Sequence, residues 1–401
     1  MSLMPADGAS LFRPLTVLSL EQAMTLPFLT MRLAAEGMRV IRVENPPRGD
    51  PNRWVGRELA ETEHGMGTYY LPNNLGKLAI TLNLAHEAGR QLLHRLIQEL
   101  PVDVFATNQR PRAYARLGID EPTLRRLRPD LIWLGITGFG PDHDEAAYDP
   151  ILQARAGFMD LTGEPDGTPT VFGLPMADLG AAEHAYGQVM KALFRRAATG
   201  QGSKIEISMF HSALAWMNTP VLLTASFHET ISRRGNLHPF FAPVAVYPSA
   251  DGHVSIAVGN DRQWEQLISL PGFESLAEDA FCRNAGRIAA VARLNDALAD
   301  LTRQHPTAWL VERFQSAGIP ISKVQRVEDV CRDPLVADHL VRSRDLRTGI
   351  EIRVPGPPVL TDHLLQQGMT MDFPPRLGEH NELVFGWLDK DAEALRLEGA
   401  I

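Results

Sequence analysis

Cysteine is scarce in this chain: 401 residues hold two, Cys282 and Cys331. Two thiols do not build the disulfide framework of a secreted domain, so a cytoplasmic location is expected. Positive charge is also short, with 39 Lys and Arg against 48 Asp and Glu and a net charge of −9. That balance disfavours non-specific binding to nucleic acid or to an anionic membrane, and any anionic ligand has to be met by a local basic patch. No apolar run reads as a membrane span. Ile207 to Phe227 lacks Asp, Glu, Lys and Arg but contains His211, Asn218 and Pro220, which suits a buried helix and its exit. The opening MSLMPADGAS has no basic residue ahead of an apolar run and reads as a loose leader, not a signal peptide.

Several chemical signatures are missing as well. The turn after the first expected strand, SLEQAMTLP, contains no glycine, so the dinucleotide fingerprint cannot be placed there. ATGQGSK (Ala198 to Lys204) follows a helix and precedes a strand, the reverse of a phosphate loop, and reads as a helix C-cap and tight turn. Neither His86-Glu87 nor His228-Glu229 has a second histidine four residues after the first, so no zincin site and no metal is expected. A G-x-S-x-G elbow is absent.

What remains is ordinary globular composition, 44% hydrophobic and 22% charged, in a chain long enough for two or three domains. The N-terminal half alternates strand-like runs with helical patterns. Leu15 to Leu20, Arg39 to Glu44, Leu78 to Leu84, Val102 to Asn108, Leu131 to Gly140 and Lys204 to Phe210 read as strands. Helices are expected over Pro27 to Glu36, His86 to Glu99 and Leu179 to Ala198. This is the pattern of a Rossmann-like, doubly wound α/β domain with a parallel sheet. After Phe227 the texture changes to paired strands split by turn signals, then helical patterns from Asp261 to Ala317, as in an α+β module. The expected organisation is a large domain over 1–215, a small α+β domain over 225–330, and a proline-containing, loop-rich return over about 335–401 that completes the large domain.

Asp178 lies in VFGLPMADLGAAEHAYG, immediately before the expected long helix. An Asp there reads as an N-cap accepting backbone N–H bonds. A carboxylate held in that way is also able to attack an activated acyl group, and the two readings are compatible. Tyr148, in EAAYDPILQARAG, reads as a half-buried tyrosine with a satisfied hydroxyl or as a phenol lining an acyl pocket at the C-terminal edge of the sheet, with Asp149 beside it as a cap. From Val104 to Arg128 six arginines (110, 112, 116, 125, 126 and 128) face only Asp120 and Glu121. They form either a solvated helix face or, beginning just past Asn108 at a strand end, a seat for a polyphosphate. Lys77 in NNLGKLAITLNL reads as a surface lysine at a strand start. Arg48 and Arg53, in ENPPRGDPNRW, follow the second strand on the ligand-facing side, and the Gln22 amide fills the turn after the first strand, where it can hold a carboxylate or oxyanion.

Read together, these segments resemble the class III CoA-transferase family, the CaiB/BaiF type with formyl-CoA transferase and α-methylacyl-CoA racemase relatives. The resemblance rests on VLSLEQAMTLPFLTMRLAAEGMRVIRVENPPRGD, NNLGKLAITLNL, ATNQRPRAYARLGID and GFG…YDPILQARAGFMDLTGEPDGTPT. It continues through PMADLGAAEHAYGQVMKALFRRAATGQGSKIEISMF, AGIPISKVQRVEDV and PPRLGEH, in the family's order over most of the chain. It implies that Asp178 is the nucleophile of a CoA-transferase, passing through a mixed anhydride and an aspartyl-CoA thioester, with Tyr148 and Gln22 beside it. It implies CoA contacts from Arg48, Lys77, Asn108, Arg110, Arg112 and Arg116, no tightly bound cofactor, and coenzyme A and acyl-CoA as substrates together with a small carboxylic acid. It also implies an interlocked homodimer whose active site lies between the large domain of one subunit and the small domain of its partner.

Racemases of the family place a histidine where this chain has Tyr148, and a phenol with a pKa near 10 is a poor partner for two-base proton exchange, which favours transfer. The other readings are an acyl-CoA racemase or epimerase and a catalytically silent CoA-binding dimer. The glycine-rich closing loop of some transferases has no counterpart in RRGNLHPFFAPV, where His238 stands instead, and Asn45 replaces an arginine common after the second strand. The SLEQA turn resembles members acting on succinate, itaconate or mesaconate.

Overall fold

The computed structural model describes residues 11–60 and 63–401, so the expected leader lies outside the described residues. Six of the apolar runs form one parallel sheet: β1 (Thr16–Leu20), β2 (Arg39–Glu44), β3 (Lys77–Thr81), β4 (Val102–Thr107), β5 (Ile132–Thr137) and β6 (Ser203–Ser208). β1, β4 and β5 are buried along their whole length. Continuous apolar strands of this kind belong to sheets covered by helices on both faces. The spatial order is β3-β2-β1-β4-β5-β6 with every neighbour parallel, the parallel sheet expected from the alternating pattern. Chain direction across the sheet reverses between β1 and β4, which opens a crevice beyond their C-terminal ends. The helices that matter for the site are α1 (Thr25–Ala35), α2 (Glu87–Glu99), α3 (Asp149–Arg155), α4 (Met176–Thr199) and α5 (Met209–Leu214).

The chain divides into two compact units, one made of residues up to 156, 173–217 and 334–401, the other of 157–172 and 218–333. The segment 157–172 was expected within the large domain but belongs to the smaller unit. Its Asp160 carboxylate pairs with Arg233 at 2.9 Å, and the Gly163 carbonyl accepts from the Gly235 N–H at 2.8 Å. The smaller unit carries an antiparallel sheet of β7 (Val244–Ser249), β8 (Gly252–Ala257) and β9 (Ile321–Lys323), with Tyr247, Val254, Trp264, Leu298 and Phe314 in its core.

Residues 334–401 belong to the larger unit. β3 is an edge strand, and its outward Ala79 and Thr81 N–H groups donate to His380 Nδ1 (3.1 Å) and Asn381 Oδ1 (2.9 Å), so the edge is covered. Val384, Phe385, Leu388 and Leu395 join Leu18, Ile41, Ile80, Phe105 and Trp133 in one core. This stretch is less loop-rich than its prolines suggest, because Leu340–Arg344 and Glu351–Pro355 pair as an antiparallel hairpin, β10 and β11.

Within Ile207 to Phe227 the helix is short, with Met209, Ser212 and Ala213 buried. α5 stops at Leu214, short helical turns follow over Asn218–Leu222 and Leu223–Phe227, and Trp216, Val221, Leu222 and Phe227 are exposed. Among the described residues no helix is long and apolar enough to cross a membrane.

Candidate active site

The crevice beyond β1 and β4 is a cleft lined by the turn after β1 (Gln22, Ala23, Thr25), the segment after β4 (Asn108 to Pro111), the loop after β5 (His143 to Tyr148), Asp178 of α4 and Met209 of α5. The turn after β1 is braced from two directions. Asn108 accepts from the Gln22 N–H through Oδ1 (3.1 Å) and donates through Nδ2 to the Gln22 carbonyl (2.8 Å). Ala23 has φ +63°, a conformation costly for a residue with a Cβ, and its N–H donates to Asp50 Oδ1 at 3.1 Å.

A closed set of charges supports this turn. Arg42, Arg53 and Lys77 face Glu21, Glu44 and Asp50, all six at most 3% exposed. Lys77 Nζ donates to Glu21 Oε1 (2.8 Å), the Pro27 carbonyl (2.9 Å) and Asn74 Oδ1 (3.0 Å). Arg42 reaches Asp50 at 3.0 Å and Glu44 at 3.2 Å, and Arg53 grips Glu44 with two bonds of 2.8 and 2.6 Å. Burial alone would raise Glu21 and Glu44, but the cations beside them outweigh it: Lys77 and Arg42 hold Glu21 below the ordinary carboxylate range, and Arg42 and Arg53 bring Glu44 to about 2.

α4 begins at Met176, three residues earlier than its apolar spacing suggests, so Asp178 sits in the first turn and is not the N-cap. The cap position is Pro175, whose side chain accepts nothing. The open amides of α4 are met from another helix: Asp149 Oδ1 accepts from the N–H of Ala177 (2.7 Å) and of Asp178 (3.3 Å). Among the described residues only the Thr25 hydroxyl bonds the Asp178 carboxylate, donating to Oδ1 at 2.6 Å. Burial pushes Asp178 up, the Thr25 hydroxyl pulls it back, and the charge of Asp149 pushes it up again, to about 6. The result is a weakly solvated carboxylate, ionised at neutral pH and open to the cleft, as a nucleophile requires. Activity that depends on its ionised form rises with pH through about 6. Thr25→Val, which removes the bond that favours ionisation, is expected to move that limb to higher pH, as read from kcat/KM between pH 5 and 8.

The remaining sequence candidates fall into three groups. Gln22, Asn108, Arg110 and Tyr148 line the same cleft as Asp178. Tyr148 is 72% exposed, so the half-buried reading does not hold. Arg112 and Arg116 are exposed on the next turns, Arg112 with Asp144 at 3.9 Å, whereas Arg125 is tied to Glu121 (3.0 Å) and Arg128 to Asp130 (3.3 Å). Arg48 is exposed and lies over the Trp54 ring at 5.5 Å. Lys77 and Arg53 belong to the closed charge set. Lys77 is therefore neither the surface lysine nor a ligand contact, because all three of its N–H donors are spent inside the protein.

Three residues that carry the site were missed from sequence. Thr25 opens α1 just after a turn in which nothing in the sequence marks its hydroxyl. Asp50 serves a backbone amide that no side-chain pattern reveals. Tyr69 follows the short hairpin of Glu58–Ala60 and Glu63–Gly67, and its phenol is raised first by burial and then by the charges of Asp178 and Asp149, which places it in their field.

A doubly wound sheet with an open carboxylate at its switch-point crevice, and exposed arginines after the neighbouring strand end, is equipment for transferring an acyl group borne on an anionic carrier. Residues 13–381 match CoA-transferase family III, and the chain belongs to that family. It is similar to the succinate–glutarate CoA-transferase of Agrobacterium fabrum, 32% identical over 391 residues that span 93% of this chain and 94% of that protein. It is also 32% identical to the acetyl-CoA:oxalate CoA-transferase of Acetobacter aceti, over 88% of this chain and 90% of that one. A crystal structure of a CaiB/BaiF family protein from Brucella suis superposes with a TM-score of 0.79 at 30% identity, covering 94% of this chain and 98% of the other.

Proposed function

We propose that this protein moves CoA between small dicarboxylic acids, with Asp178 as the nucleophile. The observation that carries the reading is the Asp178 carboxylate itself, lining the cleft with Oδ2 free of hydrogen bonds among the described residues. Asp178 attacks the thioester carbonyl of an acyl-CoA; the C–S bond breaks and CoA thiolate leaves a mixed anhydride. The thiolate then attacks the Asp178 acyl carbon, the donor acid departs as its carboxylate, and an aspartyl-CoA thioester remains. The acceptor carboxylate attacks that thioester and the two steps run in reverse, so an activated acyl bond is conserved throughout. Gln22 at the β1 turn and the Tyr148 phenol are the side chains available to steady the carboxylates and developing oxyanions.

The anionic carrier is assigned to the basic side of the cleft, with Asn108, Arg110, Arg112 and Arg116 after β4 and Arg48 after β2. CoA enters and leaves as a substrate, and no tightly bound cofactor or metal takes part. Arg110→Ala and Arg116→Ala are each expected to raise KM for acyl-CoA by about tenfold, the loss of one charge-assisted phosphate contact, with kcat changed much less. The relatives acting on succinate with glutarate and on oxalate support dicarboxylates as acceptors.

The exposed phenol at Tyr148, where a second base would be needed, favours transfer over racemisation. In the smaller unit the exposed Val221, Leu222, Phe227, Phe240 and Phe241 favour the interlocked homodimer, in which a partner would cover apolar side chains of this kind. Two free, exposed thiols favour the cytoplasm. The test is a mass-spectrometric screen of acyl-CoA donors against dicarboxylic acids: exchanged thioesters such as glutaryl-CoA from succinyl-CoA are expected. Deuterium washout from 2-methylacyl-CoA without any acceptor would establish the racemase instead, and a raised Tm with CoA but no exchange would establish a silent binding protein.

A further inference from the structure

A carboxylate in the first turn of a helix ordinarily turns back on the open backbone N–H groups there, which holds it ionised but occupies its oxygens. Asp178 does not do so, because those amides are already bonded. We infer that Asp149 is a positioning residue for the transfer reaction: by capping α4 from α3, it leaves the Asp178 carboxylate free for attack and aimed into the cleft. The inference rests on Asp178 being the nucleophile.

The geometry is specific. Asp149 is 7% exposed and every oxygen is engaged, Oδ1 by the Ala177 and Asp178 amides and Oδ2 by Gln153 Nε2 at 2.6 Å. Gln153 is wholly buried and also donates to the Leu174 carbonyl at 3.1 Å, so the capping carboxylate is fixed to the segment that leads into α4. Thr25 from α1 then sets the rotamer of Asp178 from the other side. Tyr148, the residue just before Asp149, opens on the cleft, so one short stretch of chain both lines the substrate space and caps the nucleophile's helix.

A second consequence is electrostatic. The titratable groups around Asp178 are Asp149, Tyr148, Tyr69 and, lining the cleft, Arg110, His143 and Glu145. Of these, Asp149 is the one whose charge adds to burial in raising Asp178. An anion that caps the helix therefore also strengthens the nucleophile's basicity, which a neutral cap would not.

The test compares Asp149→Asn and Asp149→Ala with the full-length protein in succinyl-CoA:dicarboxylate exchange across pH 5 to 8. Asp149→Asn keeps one acceptor oxygen but no charge. It is expected to move the acidic limb of kcat/KM down by about half a pH unit or more while kcat falls less than about tenfold. Asp149→Ala is expected to lower kcat by about 30- to 100-fold with KM for acyl-CoA within about twofold, as misplacement of a reacting group does. Lost rate with an unmoved limb in Asp149→Asn, or wild-type rate and limb in both variants, overturns the inference. If Asp149→Ala fails to fold, the limb of Asp149→Asn decides alone. Activity retained by Asp178→Ala would instead overturn the reading on which the inference stands.

Discussion

Asp178→Ala is expected to lower CoA transfer by roughly 10³-fold or more, because the proposed covalent route passes the acyl group through that carboxylate. Asp178→Asn falls by a similar factor, since an amide keeps the Thr25 bond and the packing but not the nucleophile. The same substitution changes stability in the opposite direction. Asp178 is raised to about 6 in the folded protein, so the native state binds that proton more tightly than the unfolded chain does. Its favourable contribution is complete below about pH 4 and lost as pH rises through 6. Asp178→Asn is thus expected to be more stable than wild type at pH 7.5, by about 1–3 kcal/mol, with the gain fading as pH falls through 6 and gone below about pH 4. Urea unfolding at pH 7.5 and pH 4 checks both signs. Greater stability together with lost activity marks a residue kept for chemistry and not for the fold.

The largest structural effect is expected beneath the cleft. Glu21→Ala leaves Lys77 and Arg42 in a closed interior with only Glu44 and Asp50 to balance three cations. It also removes the acceptor of the Ser19 hydroxyl, which donates to Glu21 Oε2 at 2.9 Å, and the shortest of the bonds made by the Thr30 hydroxyl, at 2.5 Å. Removing one partner of a buried ion pair costs about 3–5 kcal/mol, because the remaining charge stays desolvated. The paired replacement Glu21→Met with Lys77→Met is expected to lose less than either single change, since both charges leave together. Denaturant midpoints of the two singles and the double measure this. A double variant as unstable as the sum of the singles would show that the two residues do not act as a pair.

Much of the large unit was legible because its strands are buried on both faces and so appear as uninterrupted β-branched and aliphatic runs, as in TVLSL and VDVFAT. The glycine-free turn after β1 leads to the start of α1, where Thr25 meets Asp178. What stayed hidden depends on distance in sequence. The cap of α4 comes from Asp149, 28 residues before Ala177, and PMAD carries no mark that its own Asp is not the cap. Lys77 looked like a surface residue because its counter-charge, Glu21, lies 56 residues away. Single side chains in a sequence announce their chemistry, but not which of them will be enclosed together.

The measurement that tests the central claim most directly is peptide mapping of the protein after incubation with succinyl-CoA and quenching with hydroxylamine. The account predicts a hydroxamate on the peptide containing Asp178, formed when hydroxylamine attacks the carbonyl carbon of the aspartyl-CoA thioester and expels CoA thiol, and no such product when free CoA replaces succinyl-CoA. Turnover with no hydroxamate at Asp178, or with the modification on another residue, would contradict it.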